Sequence, residues 1–194
     1  MATDKRIERI TSVLSHRQPD LRVVLEGVTI AHNASAVIRT CDAAGILYLD
    51  LISPNPELVH LNEAITTRTD KWLEIGIHST ATGCLSGLKA RGFEIAVTRL
   101  TDEAVPYTSL DYTRPLALVF GSESDGISDE ALGLADHVIR IPMVGMVQSL
   151  NLSVSVAVVL YEAFRQREAA GMLNSPRLSP ADLEELKARW LQPK

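Results

Sequence analysis

The sequence predicts an α/β protein built on a mostly parallel sheet with helices on both faces. Short apolar runs of strand length alternate with longer stretches whose apolar residues recur at helical spacing. One run, Leu116 to Phe120, is apolar at every position, which is the pattern of a central strand covered on both sides. At 194 residues the chain fits one domain with short extensions. A chain of that size buries roughly 70% of its unfolded surface and needs no staples.

Taken in order, Ile7, Ile10, Val13 and Leu14 form a helical stripe over Arg6 to His16, ended by Gln18-Pro19-Asp20. Leu21 to Leu25 reads as a strand, and Asn33 to Ala44 as a helix stopped by Gly45. Leu47 to Ile52 is a second strand, closed by Ser53-Pro54-Asn55-Pro56. Trp72 to His78 is a third strand, Thr80 to Arg91 a helix, and Phe93 to Thr98 a fourth strand. After the apolar fifth strand, Ser128 is suited to cap a short helix that has Asp129 and Glu130 in its first turn. His137 to Ile141 is the sixth strand. Ser149 to Gln166 alternates like a strand at its start but is too long for one, so it reads as a helix buried on most sides. Pro176 and Pro180 mark a linker before an amphipathic helix, Ala181 to Leu191. The organisation expected is a helical extension over 1–20, a main domain over 21–168 and a second helical extension over 169–194.

Composition excludes several classes. No apolar run reaches the ~18 residues of a membrane span, and Met1 to Ile10 lacks the apolar core of a signal peptide. Cys41 and Cys84 are far apart and lack metal-ligand spacing, so neither a metal nor a disulfide framework is expected, and the location expected is cytoplasmic. The formal net charge of -5 argues against non-specific nucleic-acid binding. Any RNA contact must use local clusters. Those available are Lys5, Arg6, Arg9 and Arg17 near the start, and Arg165, Arg167 and Arg177 near the end. No G-x-G-x-x-G follows the first strand, so an ordinary dinucleotide fold is not supported.

Three segments carry residues suited to chemistry. In His32-Asn33-Ala34-Ser35-Ala36-Val37-Ile38-Arg39-Thr40, Asn33 sits at a helix start and Arg39 lies six residues on, about 240° round a helix. The two converge only if Asn33 caps and the Arg39 side chain reaches back. Otherwise Asn33 is a plain cap and Arg39 an ion pair with Asp42. Gly121-Ser122-Glu123-Ser124-Asp125-Gly126 follows the central strand. Its glycines let backbone approach a ligand closely, or they simply make a turn around a solvated carboxylate. The third segment, Ile141-Pro142-Met143-Val144-Gly145-Met146-Val147-Gln148-Ser149-Leu150-Asn151, joins a strand end to an apolar helix through a Gly/Met loop with polar groups beside it. Ligands bind at the carboxyl ends of strands in open α/β sheets, in mostly apolar clefts with a few placed polar groups.

As an ordered set, N-x-x-x-x-x-R, then G-x-E-x-x-G after an apolar strand, then I-P-M-x-G-M-x-Q-S-L-N-x-S-V resembles the SpoU branch of the SPOUT-superfamily RNA methyltransferases. Within that branch it resembles the TrmH-type tRNA (guanosine-2′-O)-methyltransferases. The likeness extends over nearly the whole chain and includes Arg17-Gln18-Pro19-Asp20-Leu21, Asp111-Tyr112-Thr113-Arg114-Pro115 and the stretch from Glu162 to Arg167.

The resemblance implies a sheet whose C-terminal segment is threaded into a trefoil knot, a feature that periodicity cannot reveal. It implies S-adenosylmethionine held by Thr98, Leu100, Gly121, Ile141, Met143, Ser149 and Leu150. It implies a homodimer whose active site lies at the interface, with Arg39, Asn33, Glu123, Ser149 and Asn151 as the catalytic neighbourhood. The substrate implied is the ribose of guanosine-18 in the tRNA D-loop, with Arg6, Arg9, Arg17, Arg165, Arg167 and Arg177 on phosphates. An rRNA ribose methyltransferase of the same family, a non-catalytic cofactor- or RNA-binding module, and a small-molecule α/β enzyme are the competing expectations. Two departures bear on the RNA side. Relatives usually read Lys-Pro-His-Asn where this chain has Ile30-Ala31-His32-Asn33. They are Gly/Ser-rich where it has Thr66-Thr67-Arg68-Thr69-Asp70.

Overall fold

The structure, a computed structural model, describes residues 3–27, 31–54, 69–122 and 124–192, with the backbone alone at 31–34 and 69–70. The Ile30 departure and most of the 66–70 block therefore lie outside the described residues.

The elements alternate as the apolar pattern predicts. Helix α1 (Asp4–Ser15) leads to β1 (Gln18–Glu26), α2 (Ala31–Ala43) and β2 (Ile46–Ile52). A 3-10 turn (Thr69–Trp72) then precedes β3 (Glu74–His78), α3 (Ala81–Ala90) and β4 (Glu94–Thr98). Next come β5 (Val105–Pro106), β6 (Leu116–Phe120), α4 (Asp129–Gly133) and β7 (His137–Arg140). The chain finishes with α5 (Leu152–Ala169) and α6 (Pro180–Leu191). The described strands pair in the order β3-β2-β1-β6-β4-β7-β5, every pair parallel.

Side-chain alternation divides the core between two faces. Leu116, Leu118 and Phe120 of β6 join Leu21, Val23 and Leu25 of β1 under α2 and α5. Ala117 and Val119 join Val24, Ile95 and Val97 under α3 and α4. Strand β6 is buried at every residue, and it lies mid-sheet. A third cluster ties the termini together: Ile10 and Leu14 of α1 pack on Leu178, on Leu186 and Trp190 of α6, and on Leu47. Trp72 meets Trp190 edge to face, with ring centroids 5.1 Å apart.

Four expectations are revised. Strand β1 starts at Gln18 rather than Leu21, because Gln18 N–H bonds the Gly45 carbonyl and its side chain bonds the Ala44 carbonyl. Trp72 is not a strand residue: it closes the 3-10 turn, where its carbonyl accepts from Arg17. The two-residue β5 had no sequence signal. Its Pro106 lacks an N–H and is tolerated there because β5 is the sheet edge. Helix α5 is not buried on most sides: Val154 and Tyr161 are about half exposed. No described helix is long and apolar enough to cross a membrane.

Two buried arginines fasten the ends of the sheet. Arg17 donates to the carbonyls of Asp42, Ile46 and Trp72 and pairs with the Asp42 carboxylate. Arg167 is fully buried. It bonds the carbonyls of Tyr112, Asp20 and Arg114, the Gln18 side chain and, at 2.7 Å, the Asp20 carboxylate. Arg177 also holds Asp20, at 2.6 Å. Burial alone would raise the Asp20 carboxyl, but hydrogen bonds and charge from Arg177 and Arg167 hold it below the usual carboxylate value.

Removing Arg167 leaves three interior carbonyls without their donor and takes one of the two arginines from the Asp20 carboxylate. Arg167→Ala is expected to lower the unfolding free energy by about 3–5 kcal/mol in urea denaturation. A depressed Asp20 makes a stability contribution that is present above the unfolded value of about 3.9 and lost as pH falls through the folded one. The stability gap between wild type and Asp20→Asn should therefore be constant near neutrality and close below about pH 4.

Candidate functional site

A parallel sheet delivers all its strand C-termini to one rim. The segments leaving β4, β6 and β7 meet there around a cavity of about 300 Å³. Thr98, Leu100, Gly121, Ile141, Met143, Ser149 and Leu150 all line it. Leu100, Ile141, Met143 and Leu150 supply apolar wall, and Ser122, Asp125, Gln148 and Ser149 supply polar groups. That mixture suits an organic ligand with a few hydrogen-bonding points.

The floor depends on Gly121. A Cβ at that position would lie 2.1 Å from the Gly126 carbonyl carbon and oxygen and 2.5 Å from Ile127 N. The loop closes on itself there: Gly126 N–H bonds the Ser122 carbonyl at 3.0 Å, and Ser122 and Gly126 form an antiparallel bridge. Gly126 itself takes φ +68°, a left-handed conformation that glycine adopts at little cost. The Asp125 carboxylate accepts from the Ser124 and Ser122 hydroxyls at 2.7 and 3.2 Å, which orients it at the cavity edge.

The expected catalytic residues are distributed differently. Ser149 lines the cavity, whereas Asn151 does not appear among its walls. Asn151 is the N-cap of α5, its side-chain oxygen accepting from the Ser153 N–H and hydroxyl at 2.9 and 2.7 Å. The helix expected from Ser149 therefore begins at Leu152. Arg39 is exposed on α2 and lies outside the cavity walls. The carboxylate of Asp42, the ion-pair partner considered for Arg39, pairs with Arg17. Asn33 falls in α2 but its side chain is not described, and Glu123 lies outside the described residues. Sequence reasoning missed Arg99, Ser122, Asp125 and Ser155 in the walls. Their signal was adjacency, since Ser122 and Asp125 sit inside the glycine-flanked loop and Arg99 between Thr98 and Leu100.

The phosphate-contact expectation needs correction at two positions. Arg17 and Arg167 are 1% and 0% exposed and spend their guanidinium groups on carbonyls and carboxylates, so neither can reach RNA. Their positive charge read as surface because burial of an arginine is visible only once its acceptors are assembled. Arg6, Arg9, Arg165 and Arg177 are exposed. Arg165 is paired with Glu162 at 2.7 Å and Arg177 with Asp20.

Among the described residues, Asp50, His78 and Cys84 bring three potential metal-ligand atoms within 4.8 Å of one another. The Asp50 oxygens are already engaged by Arg22 at 2.8 Å and His78 at 2.9 Å. Burial, then the Asp50 charge, push the Cys84 thiol up to about 12, so it stays protonated at neutral pH. The group reads as a structural chain of charge across β1, β2 and β3 rather than a metal centre.

Comparison with known proteins accords with this arrangement. The profile of the SpoU rRNA Methylase family matches residues 20–161. A Thermus thermophilus tRNA (guanosine(18)-2′-O)-methyltransferase is 45% identical over 190 residues, 98% of this chain and 97% of that protein. The crystal structure of the Aquifex aeolicus TrmH/SpoU tRNA modifying enzyme superposes with a TM-score of 0.92 at 42% identity, covering 97% of this chain and 95% of that one. An AdoMet-bound rRNA methyltransferase from Sinorhizobium meliloti superposes at 0.64 with 26% identity, covering 80% of this chain and 59% of that one.

Overpacking at the cavity floor has a direct cost. Gly121→Ala is expected to lose about 1–3 kcal/mol of stability by thermal unfolding. Gly87→Ala, which meets nothing within 4 Å on helix α3, is expected to be neutral or stabilising.

Proposed function

Because the chain belongs to the SpoU rRNA methylase family, we propose that it is a tRNA ribose 2′-O-methyltransferase that uses S-adenosylmethionine to methylate guanosine-18 in the tRNA D-loop. End-to-end similarity to enzymes named for that reaction carries the reading. The strand-end cavity supports it. Its apolar walls suit an adenine and a thioether chain, its hydroxyls and backbone groups suit ribose and amino-acid ends, and Gly121 keeps the floor open to backbone contact.

S-adenosylmethionine supplies an electrophilic methyl on a sulfonium. The protein must present a ribose hydroxyl to it and remove the hydroxyl proton, and much of the rate comes from alignment. Arginine is a poor base because its pKa lies above ~12. Arg39 instead binds the phosphate beside the target ribose through a forked contact and holds the hydroxyl in line, with the proton passing to phosphate or water. Ser149 and Glu123 order the donor loop, and Asn151 does so by capping α5. Asn33 lies inside the first turn of α2, the helix that carries Arg39, rather than capping it.

The reading includes a homodimer in which Arg39 of one protomer faces the cavity of the other. Support comes from large apolar side chains left in solvent on the 141–151 segment and on α5: Val144 and Met146 are fully exposed, Val147 more than half, and Val154 and Tyr161 about half. An interface would cover such side chains. It also includes a knotted C-terminus. The chain leaves β7, which sits beyond β4 in the sheet, and returns through 141–151 to α5, which packs against α2 over β1. Phosphate contacts fall to exposed Arg6, Arg9, Arg165 and Arg177, and a cytoplasmic location suits a tRNA substrate and two unbridged cysteines.

Labelled methyl transfer into bulk RNA, followed by mapping of the modified nucleotide, tests the activity. The label is expected on the 2′-oxygen of one D-loop guanosine in tRNA; label on rRNA alone, or none, would overturn the substrate. Arg39→Lys tests the forked contact. Turnover is expected to fall at least about tenfold, because an ammonium cannot replace a bidentate guanidinium. Near-normal turnover with unchanged tRNA affinity would refute that role.

A further inference from the structure

We propose that Glu26 is a positioning residue whose carboxylate locks the loop flooring the donor cavity onto the strand end that feeds α2. The inference rests on the proposed function and deepens it, since α2 carries Asn33 and Arg39.

Glu26 is the last residue of β1. Gly27 follows at φ +68°, its N–H bonded to the Ile52 carbonyl at 3.0 Å, and the next described element is α2 at Ala31. The Glu26 carboxylate reaches across to the far end of the 121–128 loop. One oxygen accepts the Ser128 N–H at 3.0 Å, and the other accepts the Ser128 hydroxyl at 2.6 Å. The same hydroxyl oxygen accepts the Ala131 N–H at 3.0 Å and so caps α4. Both oxygens of one carboxylate are thus spent on one residue, an arrangement that fixes orientation as well as distance. The near end of the loop lies close to the same strand exit: a Cβ added at Gly27 would come within 3.6 Å of the Ser122 Cβ. Between these two anchors lie Asp125, Gly126 and Ile127, which are cavity walls together with Gly121 and Ser122.

Glu26 is not itself among those walls. Its effect is geometric. The end of β1, on the side where the chain runs toward α2, and the loop that sets where the donor sits are joined by this clamp. Without it the loop can drift relative to the strand end, and a misplacement of ~1 Å at a reacting centre costs on the order of 10²-fold in rate.

The test uses the full-length protein with Glu26→Ala, Glu26→Gln, Ser128→Ala and Ser128→Thr. Three quantities are measured: S-adenosylmethionine affinity by calorimetry, kcat with unmodified tRNA, and tRNA affinity. Glu26→Ala is expected to weaken donor affinity by about fivefold and lower kcat by about tenfold or more, with tRNA affinity unchanged. Glu26→Gln, which keeps the shape but can accept through one oxygen only, should fall between. Ser128→Thr keeps the hydroxyl and should stay near wild type, while Ser128→Ala should follow Glu26→Ala. A folded Glu26→Ala protein with wild-type donor affinity and kcat would overturn the proposal. So would a uniform loss of donor affinity, kcat and tRNA affinity in step with thermal stability, which marks a merely structural residue. Should Glu26→Ala fail to fold, equal behaviour of Ser128→Ala and Ser128→Thr would overturn it. Wild-type protein that binds donor but methylates no RNA would sink the proposed function and leave the donor-affinity comparison standing. Wild-type protein that binds no donor would sink both.

Discussion

The cavity exists because the central strand, ending at Phe120, runs directly into Gly121, a residue without a side chain. Strand β6 is buried along its whole length, so its exit is pinned in the middle of the sheet. The chain must turn there at once, and it does so by folding Gly126 and Ile127 back over Gly121, closer than any Cβ would permit. That contact sets the floor of the site. Thr98 on the neighbouring strand ties its hydroxyl to the Val119 carbonyl of β6, which brings the β4 exit into the same wall. The bend after β7 then forms the opposite wall.

Charge in this molecule does two separate jobs. The arginines that join remote segments are buried, and their donors are consumed by carbonyls at turns: Arg17 at the start of the sheet and Arg167 between α5, β1 and the turn at 112–114. Such groups are expensive to desolvate and stay in place only because each hydrogen bond is met. The cations left for an anionic partner are fewer than the composition suggests, on a chain of net charge -5. Binding of an RNA must therefore come from local exposed arginines and from shape, not from a general positive field.

Much of the fold was legible because the sheet is parallel and buried on both faces. Leu116 to Phe120 announced itself by continuous apolarity, and Ser128 by its position before two acidic residues. The residues that the resemblance names for the cofactor lie in three short strings, and the topology gathers them around one cavity at the sheet rim. What was illegible depends on long-range pairing. Nothing local to Arg17 or Arg167 says that carbonyls from distant turns will surround it. Nothing local to Val105-Pro106 says that it will lie beside β7. The helix expected from Ser149 starts at Leu152 because both Ser149 and Asn151 are capping types, and only the backbone decides between them. Glu26 gave no signal, since its partner Ser128 stands 102 residues away.

The central claim is that the strand-end cavity grips a methyl donor while a second protomer delivers the ribose. The most direct measurement is a crystal structure of the protein soaked with S-adenosylmethionine. The account predicts donor density between Gly121 and the 141–151 bend, with a partner protomer's Arg39 facing it. An empty cavity with donor bound elsewhere, or Arg39 turned away from any neighbouring protomer, would contradict it.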